Sequence, residues 1–147
     1  MLQLTVRHEA WPVRGKFTIS RGSRTQADVV VAELSDGAHL GRGECLPYPR
    51  YGESVEGVIA EIEKLRGPLA EGLDRQRLQS LLPAGAARNA VDLAFWDLEC
   101  KRAGKRHWQL AGLPEPGPVI TAFTLSIDTP QEMGRRAAEN ASRPILK

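Results

Sequence analysis

The stretch from Pro83 to Gly104, PAGAARNAVDLAFWDLECKRAG, is the longest unbroken helix signal in the chain, and it constrains whatever packs around it. At about 100° per residue, Arg88, Asp92 and Glu99 fall in a narrow polar stripe, while Ala87, Ala90, Leu93, Ala94, Trp96, Leu98 and Cys100 cover most of the remaining circumference. A helix apolar over so much of its surface is mostly buried. Its alanines permit close approach by neighbouring elements, Pro83 marks its start, and Gly104 supplies a left-handed stop beyond Lys101 and Arg102. Asp97 lies roughly opposite the polar stripe, where a carboxylate needs a partner or several hydrogen bonds. It is read as half of a structural ion pair or as a cap for another element, in preference to a catalytic group.

Upstream, the pattern is one of strands. Leu2, Leu4 and Val6 alternate with polar neighbours, which predicts a strand with one buried face ending near Trp11-Pro12, and a second strand runs from about Val13 to Ser20. The polar run SRGSRTQAD, with Arg21 and Arg24 bracketing Gly22-Ser23, reads as a basic, flexible loop. Val29 to Leu34 (VVVAEL) is the next strand, and Asp36-Gly37 turns it into another from His39 to Leu46, giving an antiparallel sheet of three or four strands. GRGE in the last of these has no helix after it and no third glycine at dinucleotide spacing, so nucleotide binding is set aside. The segment LPYPRYGES then places two tyrosines and Arg50 on a proline-stiffened loop, equally a ligand wall or a crossover packing its rings on the sheet. A helix capped near Ser54 carries Val58, Ile59, Ile62 and Leu65, and a short one from Asp74 to Leu82 leads into the long helix.

After the long helix, Trp108, Leu110 and Leu113 form a brief apolar turn, and LPEPGP is a compositional break read as a domain boundary, dividing the chain into 1–115 and 116–147. VITAFTLSI reads as a strand, Thr129-Pro130 opens a helix through Met133, Ala137 and Ala138, and Pro144 to Lys147 begins another strand. Strand, helix, strand is the first βαβ unit of a parallel sheet or barrel. A strand following a crossover helix is normally flanked on both sides. The expectation is therefore the N-terminal part of a longer polypeptide, because a complete eight-stranded barrel takes about 250 residues.

Charge and cysteine usage narrow the classes of function. Over 147 residues, 20 basic and 18 acidic side chains leave a net charge of +2 with no basic patch, so neither nucleic acid nor an anionic membrane is an expected partner. Arg7, His8 and Glu9 interrupt what an export signal would need, and no run of about 18 apolar residues occurs. Cys45 and Cys100 lack CxxC spacing and sit in apolar patterns, which predicts reduced core thiols and a cytoplasmic protein. His8, His39 and His107 are scattered and read as surface or packing residues, and no metal-ligand spacing is evident, so no metal site is assigned within the chain.

The ordered series AWPVRGKFTISRGSR, GRGECLPYPRYGES, LPAGAARNAVDLAFWDLECKRAG, ITAFTLSIDTP and PILK resembles the N-terminal half of the enolase superfamily, most nearly its dipeptide epimerases of the L-Ala-D/L-Glu type. The resemblance implies an α+β capping domain, antiparallel sheet plus helices, followed by the first βαβ elements of an incomplete (β/α)7β barrel. It implies that the segments around Arg21–Gln26 and Pro47–Glu53 are mobile capping loops that close on a small dipeptide. Arg24 would pair with the glutamyl carboxylate, Thr124 would touch the dipeptide, and Tyr51 is a weaker candidate for the same wall. Lys147 matches the first lysine of a Lys-x-Lys motif, the catalytic residue that helps hold carboxylate and enolate charge.

The chemistry implied is removal and return of the α-proton beside a carboxylate. So weak an acid requires Mg²⁺ and nearby cations to stabilise the enediolate. Two lysines at i and i+2 on a strand share one face, which puts both at one site. The second lysine, its opposite-face counterpart and the metal ligands are expected downstream of Lys147, so residues 1–147 alone are expected to be inactive and, with apolar faces open, prone to self-association. The oligomeric state is left open between monomer and homo-oligomer. Other readings are a cycloisomerase, an o-succinylbenzoate synthase or an N-succinylamino acid racemase with the same cap, or a non-catalytic α+β binding module.

Overall fold

A computed structural model describes all 147 residues, Met1 to Lys147. Three strands, β1 (Gln3–Ile19), β2 (Gly22–Ser35) and β3 (Leu40–Cys45), form one sheet in the order β1-β2-β3. The two strands expected on either side of Trp11-Pro12 are one continuous strand. A proline removes a donor from the ladder, but β1 is an edge strand, where an outward N–H is dispensable. Gly15, at φ 74°, adopts left-handed backbone within β1.

The segment expected to be a basic loop is also strand: β2 starts at Gly22, directly after the two-residue turn Ser20-Arg21, and includes Arg24. Pairing with β1 satisfies its main chain, and that tertiary gain overrides the weak strand propensity of so polar a sequence. β2 and β3 pair antiparallel from Val30 opposite Cys45 to Ser35 opposite Leu40. Their connection holds Gly37 at φ 93°, and Asp36 Oδ1 accepts the main-chain N–H groups of Ala38 at 2.9 Å and His39 at 2.7 Å.

Six helices follow: α1 (Val55–Glu63), α2 (Arg66–Ala70), α3 (Arg75–Leu81), α4 (Ala86–Ala103), α5 (His107–Leu110) and α6 (Pro130–Glu139). Ser54 caps α1 by accepting the Gly57 N–H at 3.0 Å, and Asp74 caps α3 by accepting that of Arg77 at 2.7 Å. The single helix expected to run through Leu65 is instead α1 followed by α2. Pro68 has no N–H to extend the first helix but fits the opening turn of the second. Helix α4 begins at Ala86 rather than Pro83. It ends at Gly104, φ 61°, where Gly104 and Lys105 donate to the carbonyls of Lys101 and Cys100.

The chain folds as two compact units. The first comprises Met1–Trp11 and Asp28–Glu115; the second comprises Pro12–Ala27 and Pro116–Lys147. In the first, α4 lies along β3 and the core is built from Val30, Ala32 and Leu34 of β2, Val58 and Ile62 of α1, Leu78 of α3, and Ala90, Val91, Ala94 and Leu98 of α4. Gly41 and Gly43, the glycines of GRGE, face the helix, and a Cβ on either would lie 2.2 and 2.0 Å from the carbonyl oxygens of Ala94 and Ala90 respectively. They serve close backbone approach.

In the second unit the strand expected over VITAFTLSI is reduced to a single bridge residue. It is an extended segment whose residue Phe123 forms an isolated parallel bridge with Leu146. Beyond Leu125 its main chain turns to β1 instead, with Ile127 N–H donating to the Thr18 carbonyl at 3.0 Å. Thr129 caps α6, its hydroxyl accepting the Glu132 N–H at 3.3 Å, and Pro130 occupies the first helical position. The segment ending at Lys147 therefore lies parallel to the one carrying Thr124.

Candidate functional site

Lys147 donates its N–H to the Phe123 carbonyl at 2.9 Å and accepts the Leu125 N–H at 2.8 Å. These two bonds bracket Thr124, so in a parallel ladder Thr124 and Lys147 are directly paired, one register step beyond Phe123 and Leu146. Paired residues project to the same side. Both Thr124 and Lys147 are exposed, while Phe123 and Leu146 are half-buried on the opposite side. A hydroxyl and a primary amine thus stand together on one open face at a strand end, a hydrogen-bonding group beside a cation.

Arg24 belongs to the same unit and is exposed, with its guanidinium carbon 5.8 Å from the centroid of the Phe17 ring. That contact is a cation–π interaction near its outer limit, which leaves the guanidinium donors free for an anion. Tyr51 belongs to the first unit. It ends a short 3₁₀ turn, Pro49–Tyr51, is 76% exposed, and packs its ring 5.7 Å from that of Tyr48. Of the four site residues expected from sequence, the second unit holds Arg24, Thr124 and Lys147, and it pairs the latter two directly.

Asp97 has the structural role expected of it. Its Oδ2 accepts the Arg42 main-chain N–H at 2.8 Å and the Lys101 ammonium at 2.6 Å, bonding α4 to β3. Burial acts to raise its pKa, but the Lys101 and Arg42 hydrogen bonds outweigh that and hold the carboxyl below the usual range. Both cysteines are free and buried, and burial pushes the Cys45 thiol up to about 11. His8 lies 2.9 Å from Asp28, and His39 lies 3.6 Å from Asp36.

No group of three or more His, Cys, Asp or Glu side chains comes together closely enough to hold a metal ion. The magnesium implied by the resemblance therefore has no ligand set among these residues. No helix is long and apolar enough to cross a membrane.

Residues 1–112 match the model of the mandelate racemase / muconate lactonizing enzyme N-terminal domain. The chain belongs to that family. Its sheet and helices are the capping domain of the enolase superfamily, and its relatives include dipeptide epimerases. The L-Ala-D/L-Glu epimerase of Escherichia coli (strain K12) is 49% identical over 149 residues, covering 100% of this chain and 46% of the relative. An enolase family member from Agrobacterium tumefaciens, solved with sodium, L-Ala-L-Glu and an ordered loop, superposes with a TM-score of 0.93 at 52% identity, covering 99% of this chain and 45% of that one. The dipeptide epimerase of Enterococcus faecalis V583, solved with Mg and L-Leu-L-Tyr, gives a TM-score of 0.80 at 29% identity, covering 98% of this chain and 44% of that one. The chain thus spans less than half the length of these relatives.

Ser126 escaped the sequence reading. Nothing marks it in VITAFTLSI, because its hydrogen-bond partners lie about a hundred residues upstream, on β1.

Proposed function

We propose that these residues are the capping domain and first barrel elements of a dipeptide epimerase acting on L-Ala-L-Glu or a closely related dipeptide, by removal and return of the α-proton of the second residue. In this reading the Arg24 guanidinium forms a charge-assisted pair with the glutamyl side-chain carboxylate. The Thr124 hydroxyl bonds the dipeptide, and the Lys147 ammonium takes up negative charge that grows on the α-carboxylate as the proton leaves. The bases and the carboxylates that hold Mg²⁺ are placed outside these 147 residues, so the chain by itself is inactive. A cytoplasmic enzyme of this kind would act on peptides released in cell-wall turnover.

The observation that carries the proposal is the pairing of Thr124 with Lys147 on one exposed strand face, in a chain similar along its whole length to the E. coli epimerase. The test is to incubate the complete protein with Mg²⁺ and L-Ala-L-Glu in D₂O. Deuterium at the glutamyl α-carbon, with formation of L-Ala-D-Glu, is expected. Absence of both would direct attention to the cycloisomerase and acylamino acid racemase chemistries of the same family.

A further inference from the structure

We propose that Ser126 is a positioning residue that latches the β1–β2 hairpin, and with it Arg24, to the segment carrying Thr124. The role given to Arg24 rests on the proposed function; the latch does not. The Ser126 hydroxyl works in both directions. Its Oγ accepts the Thr18 N–H at 2.9 Å and donates to the Lys16 carbonyl at 3.2 Å. One residue on, Ile127 N–H donates to the Thr18 carbonyl at 3.0 Å. Both main-chain groups of Thr18, on the outer edge of β1, are therefore engaged by Ser126-Ile127. An edge strand would otherwise present them to water.

The grip is transmitted to Arg24 by contacts within the same unit. Lys16 and Thr18 flank Phe17, and it is the Phe17 ring over which the Arg24 guanidinium lies. Across the hairpin, Thr18 Oγ1 and Ser23 Oγ are 2.9 Å apart, tying β1 to β2 at the residue before Arg24. Ser126 itself follows Thr124 by two residues. A single hydroxyl thus couples the residue proposed to read the substrate's side-chain carboxylate to the strand bearing the residue proposed to bond its backbone. Alanine at 126 would remove two of the three bonds, whereas threonine retains a hydroxyl able to make both.

The experiment uses the complete protein with Ser126→Ala, Ser126→Thr, Arg24→Met and the Ser126→Ala/Arg24→Met double variant. Amide hydrogen exchange is read at Thr18 and Ile127. Exchange at both is expected to quicken about five-fold or more in Ser126→Ala and to stay near wild type in Ser126→Thr. The Val30–Leu34 amides should be unchanged in every variant, which verifies folding. Unchanged exchange at Thr18 in a folded Ser126→Ala protein overturns the latch, whatever the enzyme's substrate.

In turnover of L-Ala-L-Glu, Ser126→Ala is expected to raise KM about ten-fold with kcat within about three-fold, and to add nothing further in the Arg24→Met background. A full additional KM effect in that background would mean that the serine does not act through Arg24, overturning the coupling. If wild-type protein leaves the dipeptide untouched, the proposed function fails, and the exchange measurement alone decides the latch.

Discussion

Gly43 sits so close to Ala90 that a methyl group on Gly43 would lie 2.0 Å from the Ala90 carbonyl oxygen and 2.6 Å from the Ala94 main-chain nitrogen. Both obstacles are main chain, so no rotamer change relieves them, and α4 as a whole would have to move off β3. Gly43→Ala is therefore expected to destabilise the first unit by about 3 kcal/mol, at the upper end of overpacking effects. The shift in urea midpoint at constant m-value measures it. A loss below about 1 kcal/mol would show that the helix slides easily, contrary to the packing described.

Asp97 provides a pH signature for the same interface. Because its carboxyl is held below the ordinary value when folded, its stabilising contribution is complete above the unfolded pKa of about 4 and is lost as the pH falls through the folded value. Asp97→Asn keeps an acceptor for the Arg42 N–H but discards the charge facing Lys101. The stability difference between wild type and Asp97→Asn should be largest near pH 7 and shrink as the pH falls from about 5 to 2. Thermal melts of both proteins across that range test the sign.

The cysteines should be chemically silent in the folded protein. Cys45 and Cys100 are 7% and 4% exposed, and burial disfavours the thiolate of both. Ellman's reagent at pH 8 should react slowly with native protein and release two equivalents rapidly in urea. Fast native reaction at Cys45 would contradict its buried place at the end of β3.

If the proposed function holds, the cations separate by kinetic effect. Arg24→Met should raise KM for L-Ala-L-Glu by about ten- to hundred-fold, the worth of one charge-assisted hydrogen bond, and barely change KM for L-Ala-L-Gln. Lys147→Ala should instead lower kcat by about a hundred-fold or more for both dipeptides, since its charge matters most as the proton leaves. Equal KM effects of Arg24→Met on the two substrates would remove Arg24 from the side-chain site.

Residues 1–147 expressed alone are expected to self-associate. Val119, Ile120 and Ile145 of the second unit are 82%, 70% and 47% exposed, apolar side chains that a second copy could cover. Light scattering should report mass rising with concentration, and monomeric behaviour at high concentration would contradict the prediction.

Much of the first unit was legible because its signals are local. The alanine-rich face of α4 and its Gly104 stop, the Ser54 and Asp74 caps, and the Asp36-Gly37 turn each operate within a few residues. Misreadings occurred where long-range pairing decided the outcome. Pro12 looked like a strand end because the sequence does not announce that β1 lies at the sheet edge. SRGSRTQAD looked like a loop because its partner strand is what makes it extended.

For the site, the sequence determined which chemistry-bearing residues are present: the charge of Arg24, the hydroxyl of Thr124, the amine of Lys147. Their spacing in the chain, 123 residues from first to last, carries no geometry. Only the tertiary structure decided that Lys147 bonds on both sides of Thr124, and that Ser126 grips the edge of β1. Helix caps and turns are satisfied by neighbours in sequence, whereas main-chain bonds between distant strands form only after the chain has met itself, and no local pattern of residues encodes which edge will be reached.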